Sequence, residues 1–116
     1  MKEGDVVLTP LPQADGLNKN RPVVVLRIIP PHGDLLVCGV STRLYQEVAG
    51  FDDIVSALDE DFASSGLKAP SLIRLGFLAV LPAASFLGAI GSINRERHRR
   101  LLRRLAEHLL NAEVMS

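Results

Sequence analysis

The chain has 116 residues, 47% of them hydrophobic, and 13 Lys and Arg balance 13 Asp and Glu for a formal net charge of +0. That length allows one domain with a real core, the composition excludes wholesale disorder, and the charge balance excludes a general nucleic-acid coat. The single cysteine, Cys38, excludes a disulfide framework or a cysteine-built zinc site.

The opening Met1-Lys2-Glu3-Gly4-Asp5 has no apolar h-region, so no signal peptide is expected and a cytoplasmic location is the default expectation. Residues 5–9 read as a strand, stopped by Pro10 and Pro12. Residues 11–20 form a polar loop with Asp15-Gly16 at its turn. Arg21-Pro22 then opens a long apolar strand over 21–29, closed by Pro30-Pro31. His32-Gly33-Asp34 reverses the chain into a strand over 35–41, a hairpin signal. Cys38 lies inside that apolar run and reads as a small buried hydrophobe, with nothing nearby to lower its pKa.

Residues 42–50 are a loop or one helical turn, and 53–57 a short strand with an acidic edge. Residues 58–69 form a loop marked by Ser64-Ser65-Gly66. Segments 71–75 and 77–81 read as paired strands around Gly76, and 87–92 as a last short strand. Strands of this length and spacing indicate a small antiparallel barrel or sandwich. Residues 75–93 carry no charge and are long enough to span a bilayer. Pro82, Gly76, Gly88, Gly91, Ser85 and Ser92 punctuate them, which suits strands and turns better than a spanning helix.

The tail differs. Asn94 suits an N-cap. His98, Leu101, Leu102, Leu105, Ala106, Leu109 and Leu110 then recur at helical spacing, predicting an amphipathic helix that ends near Asn111. Arg95, Arg97, Arg99, Arg100, Arg103 and Arg104 read as its wet face. Glu47, Asp52, Asp53, Asp59, Glu60 and Asp61 crowd a separate segment, so two faces of opposite sign are expected, able to steer charged partners. His32 reads as an exposed turn residue, and His98 and His108 as packing or surface residues; none has metal-ligand spacing.

Two groups stand out chemically. Arg21 sits at the mouth of one strand, and Ser41-Thr42 ends the next. A guanidinium fork matches phosphate oxygens and keeps its charge, and a hydroxyl donates to the same oxygens. The plainer readings are an exposed arginine at a strand entrance and a pair of hydroxyls capping a turn.

The order of these pieces resembles the MazF/PemK family of toxins from toxin–antitoxin modules. The carrying residues are Gly4-Asp5-Val6-Val7, Asn20-Arg21-Pro22-Val23-Val24-Val25-Leu26, Val37-Cys38-Gly39-Val40-Ser41-Thr42, Gly66-Leu67-Lys68-Ala69-Pro70-Ser71-Leu72-Ile73-Arg74-Leu75, and Leu87-Gly88 ahead of the terminal helix. Gly-Asp and Arg-Pro are the most specific of these.

The resemblance implies a single domain over 1–116: a mainly β, strongly bent SH3-like barrel at 4–92 with a C-terminal α-helix at 94–111. It also implies a homodimer that cuts single-stranded RNA at short sequences, without metal or cofactor. A cognate antitoxin would block the groove with an acidic, partly disordered segment; no membrane is involved. The family's catalytic arginine and hydroxyl match Arg21 and Ser41, with Thr42 adjacent, and register decides which hydroxyl acts. Lys19, Asn20, Arg43, Tyr45, Lys68 and Arg74 become RNA-binding candidates, Tyr45 by stacking a base. Some family members carry an acid in the later loop; Lys68-Ala69-Pro70-Ser71 has none, and no general base is identified. The alternative is the same barrel as a binding module, with catalysis lost or redirected to a target such as gyrase.

Overall fold

The computed structural model describes residues 1–12, 16 and 18–111. Six strands, β1 (Asp5–Pro12), β2 (Asn18–Ile29), β3 (Asp34–Ser41), β4 (Asp53–Val55), β5 (Ser71–Leu81) and β6 (Gly88–Ser92), precede one helix, α1 (Arg95–Leu110). They form one antiparallel sheet in the order β4-β5-β3-β2-β1-β6. The sheet curls into a half-barrel, and its outer strands β4 and β6 do not pair with each other.

Continuous apolar runs, rather than strict alternation, make sense because the central strands are covered on both faces. Val6, Val24, Leu26, Cys38, Ile73 and Leu75 join Leu101 and Leu105 of α1 in one core. Val7, Val23, Val25, Leu35 and Val37 form a second cluster with Phe86 on the other face. Period-two alternation sends Val23 and Val25 one way, Val24 and Leu26 the other.

One strand runs past the points that the sequence suggests as stops. β1 continues through Pro10 and Pro12, pairing Pro10 with Asn20 and Pro12 with Asn18. β6 pairs with β1 only as far as Leu8. Beyond that point β1 is an edge, where a missing N–H is tolerated. The polar loop of 11–20 is therefore mostly hairpin arm; residues 13–15 and 17, including Asp15 of the expected turn, lie outside the described residues.

Segments 71–75 and 77–81 are not two paired strands but the single strand β5. Gly76 marks a bulge instead of a turn: Gly39 pairs with Arg74 while its neighbour Cys38 pairs with Leu78, leaving Leu75, Gly76 and Phe77 as extra residues. Buried Asp52 accepts a hydrogen bond from Leu75 N at 3.1 Å and another from Val48 N at 2.9 Å, satisfying an N–H within the bulge.

The turns of 58–69 pack tightly on β6. Gly66 has φ +74°, and a Cβ there would lie 2.2 Å from the Ile90 carbonyl oxygen; one on Gly91 would lie 2.2 Å from the Ser64 carbonyl oxygen. Only glycine permits this approach, and the Ser92 N–H donates to Ser64 O at 2.8 Å across it.

Asn94 caps α1, its side chain accepting from Arg97 N at 2.8 Å. The arginines are not all a wet face. Arg95, Arg99 and Arg103 are exposed, but Arg97 is buried and Arg100 and Arg104 half-buried. Arg97 donates to Asp61, Asp53 and Asp59 at 2.8 to 3.0 Å. Arg100 reaches Asp53 at 3.0 Å, and Arg104 reaches Asp52 O at 2.6 Å. Half of the helix arginines are therefore paired with the acidic segment, while Arg95, Arg99 and Arg103 stay exposed on α1. The apolar stripe is likewise used only over its first half: Leu109 and Leu110 remain 66% and 76% exposed. His98 Nε2 lies 2.8 Å from Leu26 O, His108 packs beside Phe51 with ring centroids 5.0 Å apart, and His32 is exposed.

Among the described residues, no helix is long and apolar enough to cross a membrane. Residues 75–93 are the second half of β5, a turn and β6.

Candidate functional site

The sheet register assembles the site. Thr9 pairs with Arg21, and Ser41 pairs with Leu72. The β2–β3 ladder pairs Val23 with Gly39; Arg21 stands two residues before the one and Ser41 two residues after the other. Residues directly opposite in antiparallel strands share a face. Alternation from the Val23–Gly39 pair therefore puts the Thr9–Arg21 and Ser41–Leu72 pairs on one face of the sheet. The row through Val23 and Gly39 is Val7, Val23, Gly39 and Arg74. Arg21, Ser41 and Arg74 therefore share the sheet face opposite α1, at the margin of the second apolar cluster. Each is half-buried, which leaves part of each side chain open to a ligand.

Ser41 Oγ accepts a hydrogen bond from Arg43 N at 3.1 Å. The hydroxyl does cap a turn, as the plainer reading held. With a lone pair occupied, the hydroxyl hydrogen stays available for donation. Thr42 and Arg43 are exposed beyond the end of β3. Tyr45, 81% exposed, follows in a short 3-10 turn over Leu44–Gln46. Lys19 and Asn20 are exposed on the β2 arm beyond Arg21, opposite Leu11 and Pro10. Lys68 is exposed in the loop entering β5, whose second residue, Leu72, faces Ser41. All of these candidates sit at one end of the sheet, where β3 ends and β2 and β5 begin.

The roles of three residues escaped sequence reasoning. Thr9, 3% exposed, lies beside Arg21 in the same row. Asp52 is spent on the bulge of β5. Phe77 follows Gly76 in that bulge and keeps 45% of its surface exposed. The alternation of β1 held a signal for Thr9, but only pairing with β2 gave it a neighbour.

Other chemical groups are committed elsewhere. Burial pushes the Cys38 thiol up to about 12, so it is no nucleophile at neutral pH. The depression of about 190 Å³ at the start of α1 is lined chiefly by Asp59, Asp61, Arg97 and Arg100, which are already engaged in ion pairs. Among the described residues, no three His, Cys, Asp or Glu side chains are grouped to hold a metal ion.

Residues 2–109 match the family model described as "PemK-like, MazF-like toxin of type II toxin-antitoxin system". The chain belongs to this family. Among solved structures it is similar to the Mycobacterium tuberculosis toxin MazF-mt6, at 19% identity over 90% of this chain and 95% of that chain, with a TM-score of 0.63. At that identity the likeness establishes the fold: a MazF-like half-barrel with a C-terminal helix. No curated protein matches the chain in sequence. Membership makes it a toxin of the type II toxin–antitoxin class.

Proposed function

We propose that this PemK/MazF-family toxin is an endoribonuclease that cuts single-stranded RNA, without requiring a metal ion, through its Arg21 and Ser41. The observation that carries this reading is the register: Arg21 stands two residues before Val23 and Ser41 two residues after its partner Gly39, on neighbouring antiparallel strands and one sheet face. The ribose 2′-oxygen loses its proton and bonds to the adjacent phosphorus, while the bond to the 5′-oxygen breaks and that oxygen takes up a proton. The products are a 2′,3′-cyclic phosphate and a free 5′-hydroxyl. Arg21 balances charge growing on the non-bridging oxygens, and the Ser41 hydroxyl donates to one of them. Arg74, Lys68, Lys19, Asn20 and Arg43 hold flanking phosphates, and Tyr45 stacks a base. The active species is a cytoplasmic homodimer, and a cognate antitoxin covers this cationic end with an acidic segment.

The test is incubation of the purified toxin with mixed-sequence RNA in EDTA. Cleavage with cyclic-phosphate ends is expected, and Arg21→Ala should lower its rate by roughly 10²–10³-fold, the worth of one charge-stabilising donor. Intact RNA with a wild-type protein of verified oligomeric state would overturn the reading; RNA bound but uncut would replace it with a binding module.

A further inference from the structure

The chain has four phenylalanines, one tyrosine and no tryptophan. Phe51 and Phe62 pack against the helix-side core, and Phe86 is buried in the second cluster. That leaves Tyr45 and Phe77 as the exposed aromatic rings. Phe77 is held in an unusual way. Regular alternation along β5 would not bring both Arg74 and Phe77 to one face, since they are three residues apart. The bulge between the Gly39–Arg74 and Cys38–Leu78 pairs changes the parity. A Cβ built on Gly39 would lie 2.8 Å from Phe77 Cδ1 and 3.1 Å from its Cγ. The ring therefore lies on β3 where a side chain of residue 39 would stand, on the face that carries Arg21, Ser41 and Arg74.

Three features support that placement. Gly76 lets the strand bend, Asp52 occupies the Leu75 N–H within the bulge, and Gly39 leaves the space the ring fills. Bulges that re-aim a side chain occur next to active sites. Covering a glycine needs only one side of a ring. Phe77 nevertheless keeps 45% of its surface open, over Gly39, which is two residues from Ser41 along β3.

We propose that Phe77 is a stacking platform for a base next to the scissile phosphate, with Arg74 neutralising the phosphate attached to it. This rests on the nuclease reading of the site and makes Phe77 a specificity residue. Any base offers a π-face, so stacking fixes position along the strand, while hydrogen-bonding edges elsewhere choose the base.

The test separates binding from cleavage. Short homopolymeric RNAs bearing 2′-O-methyl groups cannot be cut, because the nucleophile is blocked, yet still bind. Phe77→Ala should weaken their binding about 5- to 150-fold, the range for one base–aromatic stack. Phe77→Leu, which keeps Gly39 covered but lacks a π-face, should behave like Phe77→Ala and serves if the alanine variant fails to fold. Phe77→Trp should restore binding, and its indole, unique in the chain, should lose fluorescence when RNA binds. Moving one abasic nucleotide along the RNA should find a position that weakens wild type as much as Phe77→Leu does and adds nothing in that variant. Equal binding by wild type and Phe77→Leu, or the same abasic penalty in both, overturns the proposal. So does a changed oligomeric mass with an unaltered abasic profile, since the ring would then serve an interface. Base-dependent binding by a wild type that leaves unmodified RNA intact sinks the cleavage reading alone; cleavage indifferent to Phe77→Leu sinks only the stacking.

Discussion

Arg97 Nε lies 2.8 Å from Asp61 Oδ2, joining the first turn of α1 to a loop 36 residues earlier, with side chains 6% and 2% exposed. The same guanidinium also meets Asp53 and Asp59 and the Ile54 carbonyl. Burial works against its charge, but hydrogen bonds and attraction from Asp61, with Asp53 and Asp59, hold it above the ordinary arginine range. This cluster, rather than the half-used leucine stripe alone, sets where α1 begins on the sheet.

Removing one partner from a buried ion pair leaves the other uncompensated. Arg97→Met should therefore destabilise the fold by about 3–5 kcal/mol. Chemical denaturation should show it as a lower midpoint with unchanged slope. Arg99→Met, on the exposed side of α1, should stay within about 0.5 kcal/mol of wild type.

Acid should release the same helix. Hydrogen bonding by Arg97 is the largest influence holding the Asp61 carboxyl below its usual range; at Asp59 the Ser56 backbone N–H comes first and Arg97 second. A carboxyl lowered in the folded state adds stability that is complete above its unfolded pKa, about 3.9 for aspartate. It is lost as pH falls from there through the folded value. Helix signal and melting temperature followed below about pH 4 should drop together. Asp61→Asn should be less stable at neutral pH and show a shallower acid decline.

The contact between the 64–66 turn and β6 tolerates no Cβ. Gly91→Ala would place a methyl group 2.2 Å from Ser64 O, so backbone must shift. A loss of about 1–3 kcal/mol is expected, a fall in Tm of roughly 4–20 °C for a domain of this size. Gly16→Ala meets no atom of the described residues within 4 Å and, despite its φ of +82°, should cost less; calorimetry on both variants decides.

The nuclease reading distinguishes the two hydroxyls. Ser41 ends β3 on the sheet face of Arg21, whereas Thr42 lies exposed beyond the strand. Ser41→Ala should slow single-turnover cleavage by roughly 10²-fold, as loss of one oxyanion donor does. Ser41→Thr should retain most of the rate, and Thr42→Ala should match wild type. The reverse ranking would move the reacting hydroxyl to Thr42.

Local chemistry makes much of this protein legible in the amino-acid sequence. β-branched runs announce β2 and β3, Asn94 announces the start of α1, and spaced leucines give its buried face. These signals depend on a residue and its near neighbours along the chain, so the chain itself carries them. Arg21 and Ser41 also stand out, because their types and strand-end positions suit phosphate. What depends on remote partners reads differently in three dimensions. Pro10 and Pro12 look like stops until β1 proves to be an edge there. Gly76 looks like a turn until β3 sets the register of β5. The six helix arginines look solvated until Asp53, Asp59 and Asp61 come to meet three of them. Phe77 carries no local mark, because its aim follows from a bulge and a glycine 38 positions earlier. Strand pairing and ion pairing are long-range choices settled by which surfaces bury together, so composition and periodicity determined the cores of β2, β3 and α1, and tertiary packing decided strand extents, register and the candidate site.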